Sequence, residues 1–228
     1  MTQHYHEHPV AGGSAVQVLM TTRAQGDLRL GQPADVLERR RRSVVDLPWS
    51  TLDQVHGRSL LEVETPGEGA GREGDALLTD LVGAAIAVQV ADCAPVALIA
   101  ESGSFAVVHA GWRGLRAGVI DAAVDALEAR QAGPTVAVLG ACIHAECYEF
   151  GAAELASIES EWGAEVVGRT SWGTPALDVP ALVSLALERR GVELVARIGG
   201  CTACDELRWY SHRARTDAGR QAMVAWRA

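Results

Sequence analysis

Residues 84–127 read AAIAVQVADCAPVALIAESGSFAVVHAGWRGLRAGVIDAAVDAL, and the pattern of this stretch decides the fold class. Ala84 to Val90 is apolar except for Gln89; after a break at Ala91-Asp92-Cys93, Pro95 to Ala100 and then Phe105 to Val108 are again apolar and largely unpunctuated. Runs of this kind predict strands buried on both faces, because a strand with one wet face alternates polar and apolar residues. Beyond Gly111 the period changes. Leu115, Val119, Ala123 and Leu127 recur every four residues, the spacing of one face of an amphipathic helix, and Gly133 with Pro134 marks its end.

The same reading extends outward. Thr135 to Leu139 is a further buried strand and Gly151 to Trp162 a helix. Asp178 can cap a helix whose first turn accepts Pro180, whose face carries Leu182, Leu185 and Ala186, and which Gly191 stops. Val192 to Ile198 returns to strand. Strands outnumber helices without strict alternation, which predicts a mixed α/β fold rather than a doubly wound sheet. The expected organisation is a mobile N-terminal tail over 1–13, with alternating His4, His6 and His8 before a Gly pair, followed by one catalytic domain over 14–228. Pro66 to Gly74 reads as a surface loop, and Arg39 to Arg42 as the solvated face of a helix.

Composition narrows the function classes. The 228 residues are 48% apolar, enough for a sizeable core, and the net charge of −9 disfavours a nucleic-acid partner. No apolar run reaches the roughly 18 residues of a membrane helix and no basic, apolar leader precedes the body of the chain, so a cytoplasmic protein without a membrane partner is expected. Five cysteines, an odd number, do not suggest a disulfide framework.

Three segments place a metal-binding or nucleophilic side chain at the end of an apolar run, beside glycine or a turn: DQVHG (53–57), ADCAP (91–95) and VHAGWRG (108–114). Strand ends are where a rigid sheet can hold side chains over a cleft. His56, Cys93 and His109 are ligand types that suit zinc, and three protein ligands leave a fourth tetrahedral position open to water or substrate. Taken singly, each is as readily a packed core residue.

The strings QVHG, DALLT (75–79), ADC with Pro95, and HAGWRG occur in an order that resembles the YfiH family, also called the laccase-domain or polyphenol oxidase family. GACI with CYE (140–149), CTACD (201–205), SHR (211–213) and GRQA (219–222) extend the resemblance over nearly the whole chain from Thr21. The resemblance implies a four-layer α/β/β/α fold, with His56, Cys93 and His109 matching the family's metal ligands. It further implies zinc-dependent phosphorolysis of the purine nucleosides adenosine, inosine and methylthioadenosine, together with adenosine deamination. The same family carries an older label of copper-dependent polyphenol oxidase, so copper in the zinc site is the alternative metal, and some members are linked to peptidoglycan-precursor editing. Ala24 to Gly31, Gly140 to Phe150 and Ala214 to Asp217 depart from the family pattern, which bears on substrate preference.

Other residues carry secondary expectations. Arg113, four residues after His109, is the expected phosphate clamp, with Arg23 and Arg220 weaker candidates against an ion-pair role. Asp92, beside the thiol, and Asp75 could orient a ligand or exchange a proton, and Asp75 is also a candidate for contacting substrate; either could equally serve as a turn residue. His212 is the better of two spare imidazoles for lining a pocket, the other being His144. Cys201-x-x-Cys204 and the looser Cys142/Cys147 pair admit a second metal, although thiols packed in loops explain them as well. Three function classes follow: a zinc nucleoside enzyme, with a metal-free variant in which Cys93 is the nucleophile and His109 its base; copper oxidation, for which four histidines outside the tail are too few to build several copper centres; and a non-catalytic binding protein.

Overall fold

The computed structural model describes residues 4–133 and 135–228; Met1 to Gln3 of the expected tail, and Pro134 of the expected helix end, lie outside them. From the N-terminal side come β1 (Tyr5–Pro9), β2 (Ala15–Met20), α1 (Ala34–Val44), β3 (Trp49–Ser50), β4 (Leu60–Glu62), β5 (Ala76–Thr79) and β6 (Ala85–Val90). Next are β7 (Ala94–Ala100), β8 (Phe105–Ala110), α2 (Trp112–Ala117), α3 (Val119–Ala129), β9 (Thr135–Cys142) and α4 (Ala152–Trp162). β10 (Val167–Arg169), β11 (Pro175–Leu177), α5 (Val179–Arg189), β12 (Glu193–Cys201), α6 (His212–Arg215) and β13 (Gln221–Arg227) follow.

A five-stranded sheet in the order β1-β2-β13-β6-β3 faces a six-stranded sheet in the order β12-β9-β7-β8-β5-β4, and β10 with β11 forms a small hairpin. Both large sheets are mixed: β3 with β6, β4 with β5 and β9 with β12 pair in parallel. The continuous apolar runs follow from this layering. In β6, Ile86 and Val88 point between the sheets, while Ala85 and Ala87 pack outward in a cluster with Leu37 of α1. In β7, Ala97 and Ile99 point between the sheets, while Val96 and Leu98 pack outward in a cluster with Ile120, Val124, Leu182 and Leu187 of α3 and α5. Both faces of each central strand are dry, so no polar alternation survives, and the layers run α/β/β/α as the resemblance implies.

Three expectations need correction. The helix after Gly111 is broken at Gly118, which adopts φ +83 and returns its N–H to the carbonyls of Gly114 and Leu115. A left-handed residue ends one helix and starts the next, and glycine adopts it without strain. The N-terminal segment is not a free tail over its described part. Tyr5–Pro9 pairs antiparallel with Ala15–Leu19, turning at Gly12 and Gly13 (φ +83 and +82), so the Gly pair that reads as a flexible joint is a hairpin turn. Its alternate histidines are tied down as well: His4 packs edge-on against Trp209 with ring centroids 5.2 Å apart. The loop from Pro66 to Gly74 runs mostly exposed between β4 and β5; of Arg39 to Arg42, Arg39 and Arg42 lie on the solvated side of α1 in ion pairs with Asp35 and Glu38, whereas Arg40 turns in to donate to the Asp27 carbonyl at 2.6 Å and Arg41 lies over the Trp49 ring, so only half of the run is a solvated face. Asp178 caps α5 through the Ala181 N–H at 2.9 Å.

The two sheets pack tightly around Gly140. A Cβ there would stand 2.6 Å from Met20 Sδ, 2.7 Å from Pro95 Cγ and 2.8 Å from Met223 Cε, atoms drawn from both sheets. Gly140→Ala should therefore destabilise the protein by about 1–3 kcal/mol through overpacking. Urea denaturation measures the shift, and an unchanged midpoint would mean that the two methionines simply swing aside.

Candidate metal centre

Gln54 fixes the segment that carries His56. Its side chain donates to the carbonyl of Gln89 and accepts from the Gln89 N–H, both at 2.8 Å, so the loop is clamped onto β6. His56 itself adopts φ +60, uncommon for a residue with a Cβ, and is held there by Asp75. Cys93 sits just past β6, where the chain leaves the five-stranded sheet to enter β7 of the other. The crossing is made at Asp92, which adopts φ +104, a conformation that the surrounding structure must hold in place. His109 lies near the end of β8 and is buried.

These three elements bring His56, Cys93 and His109 together, with their ligand atoms within 4.8 Å of one another. Cys93 Sγ is 3.7 Å from His56 Nε2, against about 3.6 Å for the S···N edge of a tetrahedral zinc site. The imidazoles meet edge-on, with centroids 4.8 Å apart. Gly111 leaves the space: a Cβ there would come within 3.0 Å of His56 Cδ2 and 3.2 Å of Cys93 Sγ. The donor set fits a single zinc or copper ion, soft sulfur with two imidazoles.

Asp75 orders this set from behind. Its wholly buried carboxylate accepts from the backbone N–H of His56 at 2.9 Å and of Gly57 at 2.7 Å, and from His109 Nδ1 at 2.7 Å. The last bond leaves Nε2 of His109 as the free nitrogen. Burial pushes the Asp75 carboxyl up, but His109 and the backbone N–H groups outweigh it and hold it below the usual range. Asp75 is thus a positioning residue, and its expected role in binding substrate is corrected: both oxygens are occupied and neither is exposed. Burial likewise pushes the Cys93 thiol up, yet the charge and hydrogen bond of His109, then those of His56, bring it down to about 6. Burial works against the charge of His109, and the Cys93 thiolate followed by Asp75 raises it to about 9.

The family described as multi-copper polyphenol oxidoreductase laccase matches residues 20–228. The chain belongs to that family. It is similar to a purine nucleoside phosphorylase of Streptomyces coelicolor, with 41% identity over 183 residues that cover 77% of this chain and 73% of the relative. Its fold is similar to a crystal structure of a Neisseria meningitidis protein of family DUF152, with a TM-score of 0.80, 26% identity, and 98% and 99% of the two chains covered. It also shares the fold of Bacillus licheniformis YfiH, with a TM-score of 0.81, 22% identity and 92% of each chain covered.

In this laccase-family chain the three candidate ligands open onto a cavity of about 640 Å³, a size suited to a small ligand. The secondary expectations sort themselves on its wall. His212 and Arg220 line it, as does Asp92, whose Oδ1 accepts from the Thr202 hydroxyl and whose Oδ2 accepts from the Arg213 N–H, each at 2.7 Å. Arg113 is not among the lining residues; it is the second residue of α2, exposed, with its guanidinium 4.4 Å from the Trp112 ring centroid. Arg23 is also absent from the wall, held by Asp217, the Trp209 carbonyl and the Tyr210 ring. Sequence reasoning missed Arg29, Arg213 and Tyr148, which do line the cavity. Arg213 follows His212 in the SHR string and Tyr148 stands in CYE, so both were within reach of the motif reading; Arg29, in a segment that departs from the family pattern, carried no signal. The altered loop 140–150 reaches the cavity through Tyr148, whereas His144 and Glu146 belong to another cluster.

Asp75→Asn should weaken zinc at the His56–Cys93–His109 set about 10- to 100-fold, because an amide cannot accept from all three donors and the tautomer of His109 is no longer enforced. Competition against a chromophoric chelator gives the affinity. Unchanged affinity would remove Asp75 from the account of the site.

Proposed function

We propose that the protein is a zinc-dependent purine nucleoside phosphorylase acting on adenosine, inosine and methylthioadenosine, with adenosine deamination at the same site. The observation that carries this reading is the convergence of two imidazoles and a thiol on one wall of a cavity whose lining also holds Arg29, Arg213 and Arg220. The Streptomyces relative's name agrees with it. When bound by His56, Cys93 and His109, zinc supplies Lewis acidity and lowers the pKa of water at its open position; copper can take the same donors.

The chain's own residues divide the remaining work. In phosphorolysis an oxygen of phosphate bonds to C1′ while the C1′–N9 bond breaks, and the purine leaves with the electron pair and takes up a proton. In deamination water adds at C6 and ammonia leaves. The first reaction needs cations around a dianion, which guanidinium groups supply through paired N–H donors. Arg220 donates to the carbonyls of Asp217, Ala218 and Gly219, and Arg29 pairs with Asp27; Arg213 donates to one carbonyl, that of Glu149, and lies over the Tyr148 ring with its other donors left over, so it is the best-placed clamp. Asp92 fixes its backbone, acting as a positioning residue rather than a general base. His212 is the cavity imidazole left to exchange a proton with the purine.

One observation favours a second reading. Cys93 Sγ stands 3.7 Å from His56 Nε2, and the charge of His109 pulls the thiol down while the thiolate pushes His109 up, an arrangement that would let Cys93 act as nucleophile without metal. Adenosine and phosphate incubated with metal-stripped and zinc-restored protein, with products separated by chromatography, distinguishes the two. Adenine and inosine should vanish on stripping and return with zinc. Full activity after verified stripping would favour the thiolate, and neither product under any condition would sink both and leave phenol oxidation, peptidoglycan-precursor editing or simple binding.

Arg213→Ala should raise the KM for phosphate about 10- to 100-fold, the loss of one charge-assisted contact, while leaving deamination close to the parent rate. Arg113→Ala should change neither. The reverse pattern in steady-state kinetics would restore Arg113 as the phosphate clamp.

A further inference from the structure

Outside the cavity, Cys147, Cys201 and Cys204 bring their sulfur atoms within 4.8 Å of one another, and His144 and Glu146 reach the same distance from Cys201. We propose that Cys147, Cys201, Cys204 and His144 form a second, structural zinc site that shares no residue with the first. Cys142, the fourth thiol of the region, is excluded, since it is buried in the apolar cluster beneath the helices.

Spacing supports the assignment. The ligands fall into two pairs, His144-x-x-Cys147 and Cys201-x-x-Cys204, each in a tight turn: one is a single 3-10 turn in which the Cys147 N–H returns to the His144 carbonyl at 3.0 Å, and the other ends β12. Two such pairs brought together are how closed tetrahedral zinc sites are built. Distances agree. Cys147 Sγ and Cys204 Sγ are 3.3 Å apart, far beyond the roughly 2.05 Å of a disulfide and close to the ~3.8 Å edge of a zinc–sulfur tetrahedron. The backbone N–H of His144 points at Cys201 Sγ, 3.4 Å away, a donor that steadies a ligating thiolate.

Chemistry selects the fourth ligand. Three thiolates already exceed the charge of zinc by one; neutral imidazole adds nothing, whereas Glu146 would add a further negative charge. Without a cation the cluster has little reason to exist, because neutral thiols are weak donors and ionised ones repel. Such a clip would join two segments 57 residues apart. Tyr148 follows one and lines the cavity, and Thr202 belongs to the other and donates to Asp92, so the clip would brace the cavity wall without touching substrate.

The test uses full-length protein expressed with zinc and kept in a phosphine reductant, with metal measured by mass spectrometry. The parent should carry about two zinc ions per chain, Cys93→Ala about one, and Cys93→Ala combined with Cys204→Ser none, as two independent sites require. Cys204 is exposed, so its replacement spares the core; if the double variant nevertheless fails to fold, cobalt in Cys93→Ala (or in His56→Ala, should that fold better) decides. A thiolate-to-cobalt charge-transfer band with intense tetrahedral visible bands supports the site. A folded, metal-free Cys93→Ala protein, zinc content unaffected by Cys204→Ser, or a Cys147–Cys204 disulfide in peptide maps would overturn it.

Discussion

The carboxylate of Asp75 is the interaction on which the candidate centre depends. A buried carboxylate is tolerated only where its charge is met by donors, and here the donors are the backbone of the His56 turn and the ring of His109. One residue therefore sets the geometry of two candidate metal ligands that lie 53 positions apart. Its place follows from sheet order. β5 pairs with β8 in a register that sets Ala76 opposite Val108, so Asp75 reaches His109 across the ladder. Neither the left-handed turn at His56 nor the orientation of His109 has another comparable support among the described residues.

Around this pair the two sheets divide the labour. The five-stranded sheet carries the His56 loop through the Gln54 clamp on β6, and the six-stranded sheet carries His109. The arginine-bearing wall comes from elsewhere, from the segment before α1 and from the turns around α6, and is tied to the metal side through Asp92. Of the candidate ligands, Cys93 and His109 thus sit at strand ends and His56 on a loop clamped to a strand, while the residues proposed to recognise phosphate and purine sit on connecting segments and the short helix α6, close to the usual division between a scaffold and its variable loops.

The buried strands were legible in the sequence because dry faces on both sides of β6, β7 and β8 erase polar alternation, and Cys93 and His109 stand where such runs stop; the four layers and the grouping of His56 with them came from the resemblance, since each residue alone reads as readily as core. What escaped was non-local. Asp75 looks like a turn residue until the register of β5 against β8 is known. Arg113 looks like a phosphate clamp because it follows His109 closely, but α2 starts in between and carries it off the cavity wall. Arg213 is 104 residues from His109 and is brought to the cavity only by the return of the chain through α6. The N-terminal histidines look like a tail because the partner strand that orders them comes later in the chain.

The crossing at Asp92 has a further consequence. A chain that changes sheets in the three residues between β6 and β7 fastens the two layers together at one point, and Cys93 is part of the fastening. His56 is tied to one layer through the Gln54 clamp and to the other through Asp75, and His109 belongs to the second layer, so an ion held by all three side chains would add to the ties across the seam between the sheets. Sliding of one layer against the other would then have to break coordination before it could proceed. By linkage, a ligand that binds only the aligned state stabilises it by about 4 kcal/mol when present at a thousand times its dissociation constant. Loss of the ion would thus be felt between the sheets as well as at the cavity, and resistance to unfolding would track the supply of the ion.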